Sequence, residues 1–175
     1  FAELLASDQG KGMIHAFFNE RAVSNLPELK GVEPRSFAHI GVIGGGTMGA
    51  GIATAALLAG CKVTLIEMSP EAAEAAKARI SGNLSGAVKR GKVSPEQFEA
   101  MTEQALVMAV DYAALGEADL VIEAVFEDMG VKKDVFTKLD AVCKPGAVLA
   151  TNTSYLNVDE IASVTQRPAD VIGLH

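Results

Sequence analysis

Three glycines of the run Gly44-Gly45-Gly46-Thr47-Met48-Gly49 occupy its first, third and sixth places, the spacing Gly-x-Gly-x-x-Gly. In such a run the first glycine permits a tight turn off a strand. The second lets a pyrophosphate approach the backbone, and the third lets a helix pack closely on a sheet. Free amides and the dipole at the start of that helix then attract the phosphates. Glycine clusters also form turns that hold nothing, so the context decides. Here the β-branched run His39-Ile40-Gly41-Val42-Ile43 precedes the glycines and an alanine-rich stretch follows them. Glu67 closes the next apolar run, 18 positions after Gly49. A carboxylate there would accept hydrogen bonds from the adenosine ribose hydroxyls and repel a 2′-phosphate. The pattern predicts a dinucleotide site for NAD rather than NADP, built on Gly44, Gly46, Thr47, Met48, Gly49 and Glu67. The plainer reading of Glu67 is a solvated carboxylate at the start of a helix.

Ligands of an open parallel sheet bind outside the carboxyl ends of its strands. Three later apolar runs end in polar groups suited to that position. One is followed by Glu123, Glu127 and Asp128, the next by Thr151-Asn152-Thr153-Ser154, and the last by His175. An imidazole whose ordinary pKa is near neutrality can take up and return a proton, which suits acid–base chemistry. Plainer readings exist here too. His175 is structural in many such settings, Asn152 and Ser154 could cap a helix beginning near Asn157, and Glu127 and Lys132 could be helix-surface charges. Glu123 reads as strand-end structure. Lys89, Arg90 and Lys92 complement the dipole at the end of a helix. Phe98, Phe126 and Phe136 are expected in the core, and no metal site is expected.

The elements that would position these groups follow from hydrophobic periodicity and capping signals. Strands are expected at 39–43, 62–67, 106–110, 119–125, 148–151 and 171–174, with helices between them. The helix after the glycines ends at Gly60, a left-handed cap, and the next starts at Ser69-Pro70 and reaches about Arg90. Ser94 and Gln97 are placed to form a capping box. Helices are also expected at 129–142 and 157–164. The fold class is therefore α/β, a doubly wound, mostly parallel six-strand sheet of the Rossmann type. Before it, residues 1 to about 20 carry apolar side chains at helical spacing, and Ser24 to Ser36 read as a linker. The expected domains are a linker helix and connector over 1–36, from a missing upstream domain, and a nucleotide-binding domain over 37–175. Phe17 and Phe18 need a surface to pack on, which the upstream domain would provide.

Composition narrows the function classes. The 175 residues are 49% hydrophobic and 21% charged, with a net charge of −7. That balance suits a globular core and argues against a nucleic-acid or anionic-membrane partner. No apolar run approaches the roughly 18 residues of a membrane span. Cys61 and Cys143 lie in apolar settings and are expected to be reduced, as in a cytosolic or matrix compartment. The chain starts at Phe1 without an initiator methionine and stops at His175 directly after an apolar run. Both ends are expected to be those of a piece of a longer polypeptide.

The segments GGGTMGAGIA (44–53), VIEAVFED (121–128), ATNTSYL (150–156) and IGLH (172–175) together resemble 3-hydroxyacyl-CoA dehydrogenases over Ala38 to His175. The N-terminal portion is similar to the connector after the enoyl-CoA hydratase domain of multifunctional fatty-acid β-oxidation enzymes. The resemblance implies NAD as cofactor and an acyl-CoA substrate. It makes His175 the general base for the 3-hydroxyl, Ser154 the partner of the reacting oxygen, and Asn152 a positioning residue beside it. It sets Glu127 and Lys132 near the cofactor's ribose and nicotinamide, and brings CoA phosphates within reach of Lys89, Arg90 and Lys92. Beyond the histidine the family carries a glutamate that orients the imidazole and a helical domain that completes the acyl pocket. The chain alone is therefore expected to bind NAD with little turnover. The parent is expected to be a homodimer or a complex with a thiolase subunit, in the bacterial cytoplasm, the mitochondrial matrix or the peroxisome. Tyr155 stands where many relatives carry a small residue. Two other readings are a 3-hydroxyisobutyrate-type dehydrogenase, disfavoured by Asn152-Thr153-Ser154 and Gly173-Leu174-His175, and a non-catalytic NAD-binding module.

Overall fold

The computed structural model describes residues 2–23 and 26–175. Phe1, Ser24 and Asn25 lie outside the described residues, and with them the first two positions of the expected linker. The chain forms two compact units, Phe1–Ser36 and Phe37–His175.

In the first unit two helices replace the single one expected, α1 (Ala2–Ala6) and α2 (Asp8–Ala22). Ser7 causes the break. It sits in an extended conformation, where its hydroxyl accepts from Gly10 N at 3.0 Å and donates to the Leu4 carbonyl at 2.7 Å. One side chain thus satisfies an orphan group on each helix. No side chain of α2 is buried. Phe17 and Phe18 meet edge to face, with the Arg21 guanidinium 4.2 Å from the Phe17 ring centre.

The second unit is a six-stranded sheet, parallel throughout. Its strands are β1 (His39–Ile43), β2 (Lys62–Ile66), β3 (Leu106–Ala109), β4 (Leu120–Glu123), β5 (Val148–Thr151) and β6 (Val171–Gly173), in the order β3-β2-β1-β4-β5-β6. Pleating sends alternate residues to opposite faces. Ile40, Val42, Val63, Leu65, Leu120, Ile122 and Val148 face α3 (Thr47–Leu58) and α4 (Pro70–Lys89), whose Ala53, Leu57, Ile80 and Leu84 complete that core. Val121 and Leu149 face the other way, onto Phe136 and Leu139 of α6 (Met129–Val142) and Ile161 of α7 (Val158–Ala162). Burying both faces accounts for the unbroken apolar runs of the central strands.

Local signals set the boundaries. Gly60 follows α3 at φ +84°. Ser94 and Gln97 form a complete capping box at the start of α5 (Pro95–Ala100). Cys61 and Cys143 are free thiols, and burial pushes the Cys143 thiol up to about 11. Phe136 is in the core on the α6 face and Phe98 packs against the core on the other, but Phe126 is 83% exposed. The apolar run around it outlasts β4. Phe126 falls in the loop beyond, where the Asp128 amide closes on its carbonyl at 2.8 Å.

Asp119, just before β4, fastens the entry of β1. Its Oδ2 accepts the Ala38 and His39 amides at 2.9 Å each, and its Oδ1 accepts Lys144 Nζ at 2.6 Å. Those bonds, the Lys144 ammonium first, hold its carboxyl down at about 2. A depressed carboxyl stabilises the fold above its unfolded value of about 3.9 and loses that contribution as pH falls through the folded value. Asp119→Ala should therefore cost about 2 kcal/mol in urea unfolding at pH 7. The gap from wild type should narrow between about pH 4 and pH 2. A gap that stays constant over that range would contradict the assignment.

Candidate active site

The order of the strands reverses direction between β1 and β4, which opens a crevice at their carboxyl ends. The glycine run leaves β1 there. Gly44 adopts φ +89°, and a Cβ on it would lie 2.9 Å from the Ala124 carbonyl oxygen. On Gly49 a Cβ would fall 1.8 Å from the Gly44 carbonyl oxygen, so close contact of helix and turn requires glycine. Gly46 differs. Its φ of −62° suits any residue, and a Cβ on it would meet nothing within 4 Å. The protein's own packing does not demand glycine at 46; an external group approaching the backbone would. Gly46 is also the N-cap of α3 and makes no side-chain capping bond. Thr47 and Met48, in the first turn of α3, are exposed beside it, where a helix start has amides without intrahelical partners. A pyrophosphate fits this arrangement.

Glu67, at the end of β2, folds back over the glycines. Its Oε1 accepts Gly45 N at 2.7 Å and its Oε2 accepts Met68 N at 3.1 Å. Each oxygen retains a lone pair for a ribose hydroxyl. Arg79 on α4 donates to the Gly45 carbonyl at 3.1 Å. Sequence reasoning missed Arg79, which lies 34 residues from its partner with no local pattern to link them.

The second half of the crevice is a charged network. Lys132 on α6 is 1% exposed and Glu123 is 0% exposed. The ammonium donates to Glu123 Oε1 and Oε2 at 2.8 and 2.9 Å and lies 3.2 Å from Glu127 Oε2. Its burial rules out the helix-surface reading of Lys132. Glu127 Oε1 accepts the Thr153 hydroxyl and, at 3.0 Å, the Ser154 amide. The Thr153 hydroxyl, then the Ser154 amide and the Lys132 ammonium, hold the Glu127 carboxyl below its ordinary value against the opposing effect of burial. Glu123 also accepts Val125 N at 2.8 Å and the Thr151 hydroxyl at 2.7 Å. Thr153 was not singled out in the sequence, although a buried hydroxyl between Asn152 and Ser154 must find a partner.

Asn152 and Ser154 do not cap α7, because Asn157 does so through its own side chain. The Asn152 amide instead donates to the Leu174 carbonyl at 2.8 Å, and Leu174 N donates to Thr151 O at 3.0 Å. These two bonds fix the backbone next to His175 at the exit of β6. Ser154, Tyr155 and His175 are exposed. The structure thus gathers Glu123, Glu127, Lys132, Asn152 and Ser154 into one bonded set at the carboxyl edge. Gly44, Gly46, Thr47, Met48, Gly49 and Glu67 cluster at the turn after β1. Lys89, Arg90 and Lys92 belong to neither set, lying at the end of α4 and just past it.

A parallel sheet in this order, with unfilled space beside Gly46 at its first turn and a carboxylate just past its second strand, defines a Rossmann dinucleotide-binding domain. Residues 39–175 match the family described as "3-hydroxyacyl-CoA dehydrogenase, NAD binding domain". The chain belongs to that family. It is 38% identical over 176 residues to the glyoxysomal fatty acid β-oxidation multifunctional protein MFP-a of Brassica napus, covering 99% of this chain and 24% of the relative. It is 38% identical over 180 residues to the human peroxisomal bifunctional enzyme, covering 100% of this chain and again 24% of the relative. The chain thus spans about a quarter of the length of these relatives. Among solved structures, FadB2 of M. tuberculosis aligns at a TM-score of 0.76 and 39% identity, over 81% of this chain and 50% of that one. The 3-hydroxybutyryl-CoA dehydrogenase of Escherichia coli aligns at 0.75 and 42%, over 81% and 30%. Among the described residues no helix is long and apolar enough to cross a membrane.

The glycines make separable predictions. Gly46→Ala should lose about 1 kcal/mol at the cap, a few degrees of melting temperature. It should weaken NADH binding by tenfold or more, since a methyl group would stand where the phosphates approach. Gly49→Ala should fail to reach the native melting temperature at all. Calorimetry and thermal denaturation distinguish the two, and unchanged NADH affinity in Gly46→Ala would refute this placement of the phosphates.

Proposed function

We propose that this chain is the cofactor-holding part of an NAD-dependent dehydrogenase that oxidises (S)-3-hydroxyacyl-CoA to 3-ketoacyl-CoA in fatty-acid β-oxidation. The observation that carries this reading is the tether at the carboxyl edge. Asn152 and Thr151 hold the last strand's exit, and Glu127 holds the Ser154 amide, so the segments bearing Ser154 and His175 are fixed at the carboxyl ends of β5 and β6. NAD bound in that crevice would supply the acceptor for the hydride leaving carbon 3 of the substrate. The Ser154 hydroxyl hydrogen-bonds the reacting oxygen, and the His175 imidazole takes the hydroxyl proton and returns it in the reverse direction. Gly44, Gly46, Thr47, Met48 and Gly49 bind the pyrophosphate, Glu67 the adenosine ribose, and Glu127 and Lys132 border the nicotinamide side.

Among the described residues no hydrogen bond or ion pair holds the His175 ring. A base without an orienting partner is a poor one. The carboxylate that orients it, and the helical domain that closes the acyl pocket, come from the rest of the parent protein, and this chain alone is inactive. Residues 1–36 serve as the connector from an upstream hydratase domain, supported by the full-length match to multifunctional relatives. The parent acts as a homodimer or with a thiolase subunit. The names of those relatives favour the peroxisome over the mitochondrial matrix or bacterial cytoplasm.

Two measurements test this. The isolated chain should bind NADH yet show no turnover with acetoacetyl-CoA, and robust turnover would overturn the division of labour. In the parent, His175→Ala and Ser154→Ala should each lower dehydrogenase kcat by about 100-fold or more while NADH affinity stays within a few fold. Unchanged kcat would leave a non-catalytic NAD-binding module.

A further inference from the structure

The proposed chemistry leaves one fully buried ionised group unused, the Glu123 carboxylate. Both of its oxygens accept from Lys132, and the remaining contacts are the Val125 amide and the Thr151 hydroxyl. An ammonium has three protons to give. Glu123 Oε1 and Oε2 accept from it, and Glu127 Oε2 lies 3.2 Å away as its ion-pair partner, so carboxylates surround the ammonium. Glu127 is 29% exposed and would rotate into solvent if unrestrained, yet its other oxygen must stay on Thr153 and the Ser154 amide.

We propose that Glu123 is a positioning residue: it pins Lys132, Lys132 pins Glu127, and Glu127 sets the Thr153–Ser154 segment that carries the reactive-side hydroxyl. Lys132 is then an internal strut that acts on the site through Glu127. Packing alone does not explain the arrangement, because apolar pairs of similar volume commonly replace buried ion pairs at no loss of stability. An apolar pair could not hold a partly exposed carboxylate against an amide. What Ser154 does chemically rests on the function proposed above; how it is held does not.

The test reads the Ser154 amide in 1H–15N spectra of the 175-residue chain, without cofactor. Glu123→Gln keeps the shape but removes the charge. It should shift the Ser154 amide as Glu127→Gln does, whereas Leu84→Ala, a core truncation on the opposite face of the sheet, should leave it in place. Adding Glu123→Gln to Lys132→Met should produce no further shift, the mark of one coupled unit. An unmoved Ser154 amide in Glu123→Gln, or additive shifts in the double variant, would overturn the proposal. Should the Glu123 and Lys132 variants not fold, the wild-type Lys132 ammonium decides. It should exchange slowly and stay unshifted when NADH saturates the chain, and a shift to fast exchange would show it leaving Glu127 for the cofactor. NADH affinity in the same samples reports on the proposed function separately.

Discussion

An ammonium buried at the end of a parallel sheet has to be neutralised where it stands, because water cannot do it. Removing either partner of a buried ion pair costs several kcal/mol, about 3–5 in measured cases. At Lys132 that requirement ties β4 to α6 and, through Glu127, to the loop after β5, 26 and 27 residues further along. Glu123 comes from a strand, Lys132 from a helix, and Glu127 from the loop between them. The carboxyl edge is therefore held by charge and hydrogen bonds as well as by packing. Ser154, although exposed, inherits that definition through its amide.

The other half of the crevice is built from backbone. Gly44 and Gly49 let turn and helix approach more closely than any side chain would allow, while Gly46 leaves a gap that nothing in the protein fills. Glu67 accepts from the Gly45 amide, and Arg79 donates to the carbonyl of the same residue, in the next peptide. One half of the site is thus shaped by the absence of side chains, the other by paired charge.

Much of this was legible in the residues. The glycine spacing, the acidic end of β2, the capping box at Ser94 and the positions of all six strands follow from local rules that the tertiary fold does not override. What escaped depended on three-dimensional contact or on a single competing side chain. Ser7 split the first helix by capping it, which apolar periodicity does not register. Phe126 looked like core because its run is apolar, yet β4 stops at Glu123 and leaves it in a loop. Glu123 read as strand-end structure; that a lysine nine residues later would be buried against it was hidden, because helix phase fixes which lysine faces inward only once the helix is docked. Lys133, its neighbour, points outward to Glu160 instead.

The clamp at Asp119 bears on the order in which the molecule assembles. The amides of Ala38 and His39 wait for a carboxylate 81 and 80 residues further along. β1 can meet β2 early, since only α3 separates them, but its other edge stays unsatisfied until β4 arrives. Closing so long a loop delays the reward of pairing. A sheet of β3, β2 and β1 alone would keep a raw edge along β1, and the crevice at the strand reversal exists only once β4 has paired there.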